Sequence, residues 1–101
     1  MENINRLAIL SFLASVKPML ENKFHVSKIG LFGSFARGEE TAQSDIDIII
    51  DFQPNTQHLS EIKTAIKTLI KNEFGREVDL CREKYIKPYY RTQILKSAVY
   101  V

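Results

Sequence analysis

Cysteine is nearly absent: Cys81 is the single one among 101 residues, so the chain can form no intrachain disulfide. Long hydrophobic runs are missing too. No apolar stretch approaches the roughly 18–20 residues that a membrane-crossing helix needs. The first residues, with Glu2 and Arg6 in a mixed pattern, lack the charged leader, apolar stretch and small-residue site of a secretory signal. These absences lead us to expect a cytoplasmic protein with no membrane association. A strong charge of one sign is also lacking. With 14 basic and 12 acidic residues and a net charge of +2, direct nucleic-acid binding is not expected. The two histidines, His25 and His58, lie far apart without ligand spacing, which argues against zinc. There are no repeats and no low-complexity tract.

What is present is ordinary for a globular protein: 45% hydrophobic and 26% charged residues. We expect a single domain over 1–101, with one core. It has no room for a separate substrate domain, so whatever it acts on must supply much of the recognition surface.

The periodicities place the elements. Ile9, Phe12, Leu13, Val16 and Leu20 recur at helical spacing, with Pro18 placed to kink or end that helix. Val26 to Phe32 reads as a strand running into Gly33-Ser34 and one turn of helix at Phe35-Ala36-Arg37, closed by Gly38. Residues 39–44 are loop-like. Asp45 to Asp51 alternates and then turns continuously apolar, a strand buried on at least one face. Leu59, Ile62, Ile66, Leu69, Ile70 and Phe74 mark a second long helix capped by Gly75. Glu77 to Cys81 is a third strand, and Pro88 starts a last helix with Tyr89, Ile94 and Leu95 as core anchors. Ala98 to Val101 can add a short edge strand. The fold class is α/β (α+β): a small mixed β-sheet flanked by helices.

Three carboxylates carry the chemistry. Asp45 and Asp47 are two apart on a strand, so they point to one side about 7 Å from each other. Their mutual repulsion calls for a counter-ion, and Mg²⁺ prefers oxygen ligands that it shares with phosphates. The intervening helix makes a crossover, so the strand bearing Asp79 should lie parallel beside the first, within reach of the same face. That is the layout of a two-metal phosphoryl- or nucleotidyl-transfer site. Gly33 lets a phosphate approach the backbone, the amides that follow favour an anion, and the Ser34 hydroxyl can donate to it. Arg37 reads either as a further phosphate contact or as an ion pair closing the turn. No Gly-Lys-Ser/Thr follows, so this is not a Walker A loop.

Gly33-Ser34, ten residues, then Asp45-Ile-Asp47 resembles the signature of the DNA polymerase β-like nucleotidyltransferase superfamily. Gly33-Ser-Phe-Ala-Arg-Gly38 and Arg76-Glu-Val-Asp79-Leu are similar to the minimal nucleotidyltransferases, and the likeness spans almost the whole chain. The resemblance implies the polymerase β-like fold, ATP as substrate and two Mg²⁺ ions. It implies an antitoxin forming a hetero-oligomer with a HEPN-domain toxin and transferring AMP to a toxin tyrosine. Carried over, Asp45 and Asp47 bind both metals, Asp79 ligates the catalytic one and helps deprotonate the acceptor, and Gly33 and Ser34 hold the β- and γ-phosphates. Two rivals stay open: an antitoxin that acts by binding alone, and a transferase for a small molecule or RNA end.

Other residues read as structural. Asp51 is taken as a strand-end acid, Glu77 as a surface charge and Cys81 as a small core residue rather than a nucleophile. Lys84, Tyr85, Lys87, Tyr89, Tyr90 and Arg91 read first as a solvated helix start with tyrosines on the core, and second as a contact surface for an anionic or protein partner.

Overall fold

The computed structural model describes residues 4–101. The chain order is α1 (Arg6–Phe24), β1 (Val26–Phe32), α2 (Gly33–Arg37), β2 (Ile46–Phe52), α3 (Leu59–Phe74), β3 (Val78–Arg82), a 3₁₀ turn (Glu83–Tyr85), α4 (Pro88–Ser97) and β4 (Val99–Tyr100). The sequence pattern therefore yields the expected elements, with β2 and β3 each shifted one residue toward the C-terminus. The four strands form one mixed sheet in the order β3-β2-β1-β4. β1 runs antiparallel to β2 and β4, while β2 and β3 are parallel, as the α3 crossover requires.

Strand alternation splits β2 between two environments. Ile46, Ile48, Ile50 and Phe52 join Ile9, Leu13 and Leu20 of α1 and Ile66 and Ile70 of α3 in one core cluster. Asp47, Ile49 and Asp51 face the other way. α1 and α3 thus seal one side of the sheet; on the opposite side Ile49 is also buried, with Asp47 and Asp51 flanking it along β2.

Local chemistry explains the helix ends. The Asn5 side chain accepts from the Ala8 N–H at 2.9 Å and caps α1, and the Gly75 N–H closes α3 on the Lys71 carbonyl at 2.7 Å. Pro18 does not end α1, which continues to Phe24. It removes the N–H that would bond the Ala14 carbonyl, but Ala14 and Pro18 both face solvent, where water can satisfy that group. α4 begins at Pro88 as expected, yet Tyr89 is 73% exposed and anchors nothing in the core. Ile94 and Leu95 are half-buried. Tyr85 and Tyr90 are exposed as well, so the tyrosines do not pack onto the core.

Candidate active site

Backbone register assembles the acids. Asp47 of β2 is paired with Asp79 of β3 on one side and with Phe32 of β1 on the other. Paired residues on adjacent strands share a face about 4.8 Å apart, so Asp47 and Asp79 stand side by side. Asp45 immediately precedes β2 and shares parity with Asp47. Phe32 leads into Gly33, which brings α2 to the same end of the sheet. An ideal Cβ built on Gly33 would lie 2.9 Å from Asp47 Cγ, and the backbone there has φ +74°. Both facts demand glycine.

The electrostatics match this crowding. Burial pushes the Asp47 carboxyl up to about 6, and the negative charges of Asp79 and Asp45 push in the same direction. Arg37 works against them. Its guanidinium, however, donates to Glu39 at 2.9 Å in an exposed pair, so it reaches Asp47 only as a field. This is the ion-pair alternative; such pairs contribute little and exchange readily with a stronger anion. The site therefore holds negative charge in excess of its positive partners.

Among the described residues, no three His, Cys, Asp or Glu side chains are gathered into a ready-made ligand set. Asp79 and Asp45 nevertheless lie near enough for both their charges to act on Asp47. The donor set still fits hard divalent cations: oxygen ligands, adjacent strands, and a carboxyl whose pKa is raised by burial first and by the neighbouring acids second. Gly33 and Ser34 lie half-buried at the start of α2, with the Ser34 carbonyl taken by the Glu39 N–H at 2.9 Å.

Neighbouring acids resolve differently. Asp51, two positions past Ile49 on the same face, accepts from Arg82 Nε at 3.0 Å and Nη2 at 2.8 Å, and from the Lys84 N–H at 3.1 Å. It is a structural ion-pair partner. Glu77 is a surface acid held by Lys71 at 2.6 Å. Cys81 is half-buried rather than a core residue; burial and the nearby Asp79 and Asp47 push its thiol up, away from nucleophilic use. His25 and His58 line one cavity of 620 Å³, remote from the acids at the other end of β2.

Arg76 is a site residue that side-chain spacing did not single out. Its guanidinium donates to the Ser44 carbonyl at 2.8 Å and the Thr41 carbonyl at 3.4 Å, and stands 5.6 Å from the Phe35 ring centre. One side chain thus ties the loop before Asp45 to α2 and to the entrance of β3. The only sequence signal was its place at the head of Arg76-Glu-Val-Asp79.

The nucleotidyltransferase domain family matches residues 13–101. A Methanocaldococcus jannaschii protein provisionally named a protein adenylyltransferase is 41% identical over 95 residues, covering 92% of this chain and 94% of its own. The protein adenylyltransferase MntA of Thermococcus cleftensis is 35% identical over 95 residues, covering 92% of each. Among solved structures, a provisionally named minimal nucleotidyltransferase superposes with TM-score 0.77 at 23% identity, over 98% of both chains. A chain from a toxin–antitoxin crystal structure with AMP-PNP superposes with TM-score 0.64 at 20% identity, over 96% of this chain and 72% of that one. At these identities the superpositions speak to the fold.

Proposed function

This chain belongs to the nucleotidyltransferase domain family, and we propose that it transfers AMP from Mg²⁺-bound ATP to a tyrosine hydroxyl of a cognate HEPN-domain toxin, acting as that toxin's antitoxin. The pairing of Asp47 with Asp79 beside Gly33 carries this reading, because it sets the acids and the phosphate turn at one end of the sheet. The protein-acceptor part rests on relatives named protein adenylyltransferases that align along nearly their whole length. The toxin pairing rests on the family resemblance. Residues 1–101 then act as one minimal domain in the cytoplasm, in a hetero-oligomer with the toxin and without direct nucleic-acid contacts. Among the described residues, no helix is long and apolar enough to cross a membrane.

Each residue has a role in the transfer. Asp45 and Asp47 would hold two Mg²⁺ ions, and Asp79 would complete the ligands of the catalytic one. Bound there, the ions would supply Lewis-acid charge stabilisation to the attacking oxygen and the leaving pyrophosphate. Asp79 orients the acceptor hydroxyl and helps remove its proton. The acceptor oxygen bonds to the α-phosphorus as the bond to the bridging α–β oxygen breaks, and pyrophosphate leaves. Gly33 and Ser34 hold the β- and γ-phosphates through backbone amides and the Ser34 hydroxyl. Arg37, released from Glu39, adds positive charge to the same phosphates.

The test is transfer itself. With ATP labelled in its α-phosphate, Mg²⁺ and the cognate HEPN protein, label should appear on a toxin tyrosine identified by mass spectrometry. Asp45→Asn and Asp47→Asn should abolish it. If those variants rescue cells from the toxin as well as the wild type does, neutralisation is by binding alone. Label on RNA or a small molecule instead would redirect the acceptor.

A further inference from the structure

Among the described residues, β3 lies at the edge of the sheet, with a strand neighbour only at β2. Two cavities, of 330 and 260 Å³, follow its outer side and share Thr64 and Lys67. Arg82 and Tyr85 border the first, Glu77 and Val78 the second. Their common wall is α3, where Lys63, Lys67 and Lys71 recur every four residues and so form one stripe. Glu77 answers Lys71 at 2.6 Å, but among the described residues Lys63 and Lys67 carry no salt bridge. At the end of the trough, Tyr85 is 68% exposed, with the Arg82 guanidinium and the Lys84 ammonium each 5.2 Å from its ring centre. Asp79 belongs to the same edge strand.

We propose that this trough is the docking site for an extended, acidic segment of the acceptor protein, which adds to the free edge of β3 as a further strand and presents the acceptor hydroxyl to Asp79. Identifying the partner as the acceptor rests on the adenylyl-transfer reading. Three features fix its chemistry. The unpaired backbone of β3 offers main-chain hydrogen bonds that a polypeptide can use. The lysine stripe selects negative charge and repels a second copy of this chain, which would bring lysines against lysines. The exposed Tyr85 is of a residue type enriched in protein-interface hot spots, and Arg82, held by Asp51, backs its ring. A nucleic-acid strand would use the lysines but neither the edge nor, with one ring, a stacking platform.

The experiment measures binding without ATP, by titrating the chain with its cognate HEPN protein in a calorimeter. Lys63→Glu combined with Lys67→Glu should weaken the complex ~10-fold or more, and Tyr85→Ala should weaken it by a similar factor. Lys67→Gln should give a smaller loss. Lys67 and Tyr85 are exposed and Lys63 is half-buried, so melting temperatures should move little and are recorded beside each titration. In transfer assays the same variants should raise KM for the acceptor and leave kcat and ATP affinity unchanged. Amide hydrogen exchange at Val78–Arg82 should slow in the wild-type complex. Unchanged affinity in the lysine variant, or β3 amides that exchange no more slowly in the complex, overturns the proposal. So does lysine-dependent binding of a uridine oligonucleotide by a chain whose acceptor affinity ignores those lysines. A chain that docks its partner here yet transfers no AMP sinks the transfer reading alone. AMP transfer unaffected by the lysine changes sinks the docking site alone.

Discussion

Gly33 and Asp47 are in direct contact: a β-carbon on residue 33 would press into the Asp47 carboxylate, 2.9 Å from its Cγ. The phosphate turn and the central acid are therefore fitted to one another, and residue 33 cannot gain a side chain without moving Asp47. Gly33→Ala should fail on two counts. The left-handed backbone, φ +74°, costs an alanine about 1–2 kcal/mol. The methyl also displaces Asp47, and a shift of about 1 Å at a reacting centre can cost 10²-fold in rate. We expect transfer to drop by about that factor while the folded protein persists. A melting curve beside a kcat measurement checks both parts.

Asp47 also makes stability depend on pH. Its carboxyl titrates at about 6 in the fold against an ordinary 3.8, because burial and the neighbouring Asp79 and Asp45 disfavour its charge. The folded state thus binds a proton more tightly than the unfolded chain. Its stabilising contribution is complete below about pH 4 and is lost as pH rises through about 6. In metal-free buffer the melting temperature should carry this downward slope, and Asp47→Asn should flatten it. At pH 7.5 the asparagine variant should melt higher than the wild type without Mg²⁺. Adding Mg²⁺ and a non-hydrolysable ATP analogue should raise only the wild type. Equal slopes in both proteins would show that Asp47 is not the titrating group.

The parts of this fold legible beforehand are those set by short-range pattern. Helical spacing at Ile9, Leu13 and Leu20, and at Ile66 and Ile70, gave α1 and α3 their buried faces. The crossover rule placed Asp79 beside Asp47, a long-range contact deduced from topology alone. What stayed hidden depends on which ends meet. Asp51 and Arg82 are 31 residues apart, and nothing in either neighbourhood announces their pairing. Tyr89 looked like an anchor because tyrosine is mostly apolar, but the short α4 leaves no residue fully buried. Lys63, Lys67 and Lys71 drew no reading from the sequence, because only the strand order shows which free edge they flank.

Arg76 holds the loop that delivers Asp45. Removing its guanidinium in Arg76→Met frees the Thr41 and Ser44 carbonyls and the stack on Phe35. These contacts are partly solvated, so we expect a stability loss of about 1–2 kcal/mol. The larger effect should be kinetic: kcat falls ~10-fold as Asp45 loses its fixed position, and ATP binding through Gly33 and Ser34 weakens less. Arg76→Lys keeps the charge but not the planar fork, so it should recover stability better than rate. A purely structural Arg76 would give equal recovery of both.

Asp51 gives the contrast that separates a structural acid from a catalytic one. Its side chain is 14% exposed and that of Arg82 10%, and two guanidinium hydrogen bonds and the Lys84 N–H satisfy the carboxylate. Asp51→Ala leaves the Arg82 charge nearly buried without its partner, which costs about 3 kcal/mol. Asp47→Ala instead relieves repulsion and should cost the metal-free fold little. Activity should follow the opposite order. Per folded molecule, Asp51→Ala should transfer AMP within a few-fold of the wild type at a temperature well below its lowered Tm, whereas Asp47→Ala should transfer none. Both acids share one strand and one face. If Asp51→Ala is stable and inactive instead, the division of labour along β2 drawn from the Arg82 pairing is wrong.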